Sequence, residues 1–518
     1  MSRARRRVAV LFALLCACGL AALHAAGDES PGGSRVTVIR GATVMDGTGA
    51  RGRRADVRIE GDRIVEVGKP MAPPPGAVIV DGTGLALAPG FIDTHSHGDD
   101  QIFLHGDALA ATSQGITTIV VGQDGGSYFP LARFFRKVER RPPAVNLASY
   151  AGHGTLRELV MGDDFRRHAT PEEIDSMKRL LDKEMRAGAI GLSSGLEYDP
   201  GIYSAPEEVI ELARVAAAHG GRYISHIRSE DRYFWKAIDE IIEIGRVAKL
   251  PVQVSHTKLA MLKWWGQGDK LIARLDRARA QGVNITGDMY PYLYWESTLT
   301  VLFPERNFED RAAATLVLKE IARPDGLLLT QFDPEPTYAG KTVASIARIR
   351  GSDPVTTLID LIRMSESMRK ETGRGAESVI GTSMSEPDVE RLMRWRWMNF
   401  CTDGYLEGPH PRGFGSFPRI LGHYVRGRKV MTMEEAVRRS SALAAANMGI
   451  TDRGLVKAGL RADLVLFDPK TVIDRATPAD PHALSSGIHK VWVNGVLVFA
   501  DGKATGERPG RVLRRTGS

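Results

Sequence analysis

Between residues 89 and 404 the chain alternates short apolar runs with amphipathic stretches, and this alternation limits its fold more than any other feature. Segments 117–121, 144–148, 189–193, 222–226, 251–256 and 283–288 read as buried strands, several separated by helix-patterned sequence. Two helix starts are explicit: Thr170-Pro171-Glu172-Glu173 is a capping box with proline in the first turn, and Ser204-Ala205-Pro206-Glu207 caps the next helix in the same manner. Adding 89–97 in front and 398–404 behind gives eight strands in βα succession. That is the pattern of an α/β protein with a (β/α)8 TIM barrel. Residues 303–378 are too many for a simple crossover, and they predict an insertion before the last barrel strand, on the face where βα loops emerge.

Outside the barrel, short alternating segments recur at both ends, among them Val36-Thr37-Val38-Ile39 and Lys490-Val491-Trp492-Val493. Glycine and proline punctuate them, as tight turns between antiparallel strands require. Residues 35–88 and 455–513 are therefore expected to build one small β-sandwich domain, with the barrel of 89–454 inserted between them.

The first 26 residues read as an export signal. Arginine-rich 1–7 precedes an apolar run over 8–23 that is short for a membrane span. His24-Ala25-Ala26 offers a cleavage site, while Leu15-Cys16-Ala17-Cys18 has the form of a lipobox that would leave Cys18 lipidated. The expected location is periplasmic or secreted, with any membrane contact through that lipid. Of the three cysteines only Cys401 lies beyond this segment, so no structural disulfide is expected. Removing the four leader arginines from the formal charge of +7 leaves about +3, too little to point to nucleic acid.

The strand ends carry the chemistry. His95 and His97, two residues apart, project to the same face of a strand and suit a divalent metal, although such a pair alone can equally be structural. Asp124, His226, His256 and Asp403 stand at the ends of four further strands. A barrel gathers those ends at one mouth, so six metal-capable side chains distant in sequence converge. His153 and Asp288 also close strands and are expected to support the ligands by hydrogen bonding. Gly122-Gln123-Asp124-Gly125-Gly126 lacks the Lys-Ser/Thr of a phosphate loop, and Ser193-Ser194 lacks the glycine frame of a nucleophilic serine.

Several motifs carry a family resemblance: residues 89–97, Gly122-Gln123-Asp124-Gly125, Gly195-Leu196-Glu197-Tyr198, Ser255-His256-Thr257-Lys258, Asp288-Met289-Tyr290-Pro291-Tyr292, Asp403-Gly404 and His410-Pro411-Arg412. From about residue 36 to 511 the chain resembles the amidohydrolase superfamily, and within it the N-acyl-D-amino-acid deacylases, or D-aminoacylases. The resemblance implies a zinc enzyme that hydrolyses linear amides of small N-acyl amino acids. It implies tight zinc at His226 and His256, a second and weaker site at His95 and His97, and Asp403 as general acid and base. It further implies substrate binding by Tyr198, Lys258, Tyr290 and Arg412, with the two cations facing the α-carboxylate. Preference for the D configuration rests on the resemblance alone.

One position departs from the family pattern. Where the family has Asn-Cys-Gly, with the cysteine as ligand, this chain has Gln123-Asp124-Gly125. A carboxylate still coordinates zinc and also suits manganese. Glu197, at the end of the fourth strand, is the rival bridging ligand. A cyclic-amide hydrolase of the hydantoinase or dihydroorotase kind is the alternative activity, but those often use a carboxylated lysine on the fourth strand, and 189–198 holds none. A non-catalytic metal-binding protein on the same scaffold is a third reading, and it leaves Asp403 without a purpose.

Overall fold

The computed structural model describes residues 36–515; the leader and the cysteine pair at 16 and 18 lie outside them. Eight parallel positions form the barrel: Phe91–Asp93, Ile116–Val121, Asn146–Ser149 continued by Ala151–Gly152, Gly191–Gly195, Arg222–His226, Val252–Val254, Ile285–Met289 and Met398–Phe400. Each pairs in parallel with the next. Closure between the last and first is made beyond the strands, where the Asp403 amide donates to His95 O at 2.8 Å and the His97 amide donates to Gly404 O at 2.9 Å. Asp93 reinforces it by accepting from the Thr402 amide (2.9 Å) and hydroxyl (2.6 Å).

Several strands are shorter than the sequence predicts, and for one reason. The polar residues at their ends leave the ladder and turn into the barrel mouth. Asp124, His256 and Asp403 adopt φ of +52°, +33° and +50°, a left-handed backbone that no strand accommodates. The first strand likewise stops at Asp93, so His95 and His97 sit on the corner beyond it.

A nine-stranded sheet gathers strands from both termini, among them Val36–Val44, Arg53–Glu60, Ala86–Pro89, Leu464–Phe467 and Ile488–Val493. It closes over a core of its own that includes Ile39, Val57, Leu464 and Trp492. A buried polar knot ties this sheet to the third barrel strand. Asp463 accepts from Asn146 Nδ2 (2.9 Å), from the Asn494 amide (2.6 Å) and from the guanidinium of Arg453. Asp463→Ala would leave the buried Arg453 guanidinium with only the half-exposed Asp452 as a charged partner (3.0 Å), and the expected cost is about 3 kcal/mol. Urea unfolding would show it as a lowered midpoint; an unchanged midpoint would mean the knot is not holding the two parts together.

The insertion is wider than the predicted 303–378. It opens with strand Tyr294–Ser297 and closes with strand Glu377–Thr382, which pairs antiparallel with both Tyr294–Ser297 and Leu327–Phe332. Leu299, Phe303, Val317, Leu358, Ile362 and Val379 give it a separate apolar core, on which Met261 from the loop after the sixth barrel strand also packs. Tyr294-Trp295-Glu296-Ser297 was hidden because half of it is polar; those polar side chains face the barrel mouth instead of solvent.

Candidate active site

A cavity of about 490 Å³ opens at the mouth, between the barrel loops and the insertion. At its base the structure brings together the residues that the strand ends singled out. His95 Nε2 lies 3.4 Å from Asp124 Oδ1 and 3.3 Å from Asp403 Oδ1. His97 Nε2 is 3.1 Å from the same Asp403 oxygen and 3.6 Å from Asp124 Oδ2. His256 Nε2 stands 3.8 Å from Asp124 Oδ1 and 2.9 Å from His226 Nδ1. Two groups of donors are close enough to hold an ion: His95, Asp124, His256 and Asp403 in one, and His226, Glu230 and His256 in the other.

These donors fit a divalent cation. His95 is completely buried, yet neither ring nitrogen has a hydrogen-bond partner, and Asp124 Oδ1 is equally unpartnered. Buried polar atoms are rarely left unsatisfied in pairs unless something else engages them. The electrostatics agree. Burial and the neighbouring Lys258 charge oppose protonation of His256, but Glu230, Asp403 and Asp124 outweigh them and push it up to about 10. The cluster thus calls for positive charge at its centre. Burial pulls His226 down to about 4, keeping that ring neutral and fit to ligate.

Asp403 is held as a carboxylate. Burial alone would raise it, but Arg412, whose Nη1 donates to Oδ2 at 2.6 Å, together with His256 and His95 holds it well below the usual carboxylate range. Asp124 is depressed in the same way, chiefly by His95 against the cost of burial. Glu197 behaves oppositely: burial and the nearby Asp231 and Glu230 raise it well above the ordinary value, and its Oε2 lies 2.9 Å from His226 Nε2. Asp288 accepts from the His256 amide at 2.5 Å and from Gln253 at 2.6 Å, fixing the corner on which His256 sits. His153 is not part of this cluster. It pairs with Glu208 at 2.7 Å beside the buried Arg157, outside both donor groups.

The expected substrate-binding residues all line the cavity. Tyr198 lies against His226, with ring centroids 4.4 Å apart. The Tyr290 hydroxyl has no partner, and the Arg412 guanidinium carbon is 4.9 Å from its ring. Arg412 Nε is likewise free among protein groups. Lys258 differs from expectation: its Nζ forms a two-oxygen pair with Glu230 at 2.6 and 2.7 Å and also meets His256 Nδ1 at 2.8 Å. Glu230 was missed in the sequence. It sits in Arg228-Ser229-Glu230-Asp231-Arg232, which reads as a solvated charged turn; only its position four residues after His226 hinted at a role.

The amidohydrolase family model matches residues 78–327 and 330–499. The N-acyl-D-glutamate deacylase of Alcaligenes xylosoxydans xylosoxydans is 38% identical over 506 residues, covering 93% of this chain and 97% of that protein. The D-aminoacylase of the same organism is 35% identical, covering 92% of this chain and 97% of that protein. Among solved structures, the N-acyl-D-glutamate deacylase from Bordetella bronchiseptica, complexed with zinc and a phosphonate inhibitor, superposes with a TM-score of 0.83. It is 35% identical and covers 93% of this chain and all (100%) of that one.

Proposed function

The chain belongs to the amidohydrolase family, and from that premise we propose that it deacylates N-acyl-D-amino acids to a carboxylic acid and a free D-amino acid. The observation that carries this reading is the placement of Asp403, a buried carboxylate between the donor cluster and Arg412 at the cavity floor. Zinc held by these donors would supply Lewis acidity, acidifying a water and polarising the scissile carbonyl. Asp403 then takes the proton of the attacking water and returns it to the departing amine nitrogen, which must leave protonated. Arg412 keeps Asp403 ionised and lines the cavity with a planar guanidinium suited to the substrate α-carboxylate. Tyr290 and Tyr198 wall the same space, the former with an unused hydroxyl. Lys258, already paired with Glu230, adds its charge by sharing.

We assign the tighter metal position to His226 and His256 and the weaker to His95, His97 and Asp403, with Asp124 between them. Asp124 is favoured over Glu197 as the shared ligand because it is held well below the usual carboxylate range and approaches three of the four histidines, whereas burial pushes Glu197 up. A carboxylate at that position also admits manganese. Export, with cleavage near Ala26 or lipidation at Cys18, is part of the same proposal and is checked by mass spectrometry of the mature N-terminus. Among the described residues no helix is long and apolar enough to cross a membrane.

The deciding experiment is metal analysis of purified protein followed by amine release from paired N-acetyl-D- and N-acetyl-L-amino acids and from a hydantoin. Hydrolysis confined to the D series, abolished by chelation and restored by zinc, is the expected result. Turnover of L substrates only, or of hydantoins only, would overturn it.

A further inference from the structure

The outer part of the cavity is acidic, and its shape suits a particular kind of side chain. Lys258 and Arg412 are its only lysine and arginine among the described lining residues, and both already face carboxylates, Glu230 and Asp403. The wall supplied by the insertion pairs an apolar strip, Trp295, Val301, Leu302 and Ile321, with two further carboxylates, Glu296 and Glu377. Glu377 is satisfied by the Leu299 amide and the Ser365 hydroxyl. Glu296 is not. Its side chain is 7% exposed; Oε1 accepts from Ser378 Oγ at 3.2 Å, but Oε2 is buried without any hydrogen bond. That oxygen stands 3.9 Å from Arg412 Nη2, whose neighbour Nη1 is committed to Asp403 at 2.6 Å.

We infer that Glu296 is the specificity-determining residue of a side-chain subsite for basic N-acyl-D-amino acids, those with a lysine- or arginine-like side chain. The inference rests on the deacylase reading above. A basic side chain has an aliphatic stem and a cationic tip, and it buries the first along apolar surface while presenting the second to an acceptor. The apolar strip receives the stem, and the unused Oε2 receives an N–H of the tip. A buried carboxylate with a vacant acceptor is costly until such a donor arrives, which makes the bound state favourable for that side chain in particular. An acidic substrate side chain would meet Glu296 and Glu377 with no cation left to answer it, and like charges at close range exclude a partner strongly.

The test compares kcat/KM for N-acetyl-D-lysine, its uncharged near-isostere N-acetyl-D-norleucine, and N-acetyl-D-glutamate, in the wild type and in Glu296→Gln. The wild type should prefer lysine over norleucine by about tenfold or more, and should handle glutamate worst, as expected for a buried charge pair against a buried like-charge contact. In Glu296→Gln the lysine-to-norleucine ratio should fall about tenfold. Glu296→Asp, which keeps the charge, should recover part of it. A wild type that turns over the D substrates without favouring lysine overturns the subsite whatever the variants do. A ratio unchanged in Glu296→Gln does the same, since a carboxylate that merely holds Arg412 in place would slow all three substrates alike. Failure to hydrolyse any N-acyl-D-amino acid overturns the deacylase reading itself.

Discussion

Asn in place of Asp403 should lower kcat by about 10³-fold while leaving bound metal largely in place, within the range expected when a positioned acid–base group is removed. The substitution is a clean one. Asp403 sits at φ +50°, a region asparagine tolerates about as well as aspartate, so the corner should keep its shape. The amide preserves an acceptor oxygen for Arg412 Nη1 but can neither take a proton from water nor return one to the amine. Steady-state kinetics alongside metal content separates the two roles open to this carboxylate. If activity stays near wild type, the proton is carried by another group. If metal and activity vanish together, Asp403 is above all a ligand.

A second large effect is expected at His256, the residue shared by both donor groups. His256→Ala should weaken metal binding by more than about 100-fold, because loss of even an outer hydrogen-bonding partner typically costs 10–100-fold in metal affinity. Metal content measured after desalting should then fall close to zero, and turnover with it. His97→Ala provides the contrast. It removes a group whose polar ring contacts are to Asp403 and Asp124 and which meets neither His226 nor His256, so the tighter position should stay filled. Wild-type metal content in His256→Ala would mean that the two donor groups do not share a ligand.

The barrel was legible because its rule is local: a buried β-branched run, then a polar residue where the strand must end. His226, at the very end of its strand, and Asp403, three residues beyond Phe400, obey it. Glu230 does not. It sits in a charged turn that looks solvated, yet it lines the cavity paired with Lys258, 28 positions away in the chain and against it in space. Glu296 escaped for the same reason. Its partners are Ser378, from a strand 82 positions on, and Arg412, so nothing near Glu296 in the chain marks it as enclosed. The His153 and Arg157 cluster shows the reverse: a histidine in the expected position was drawn to Glu208 by a nearer carboxylate, away from the mouth.

The insertion has a core of its own, and of that core the cavity borders only a margin, including Trp295, Leu302 and Ile321. Reaction and choice of substrate are therefore borne by parts whose interiors are largely separate. Changes along the rim strand Tyr294–Ser297 can retune what enters while the barrel corners at Asp124, His256 and Asp403 keep their backbone.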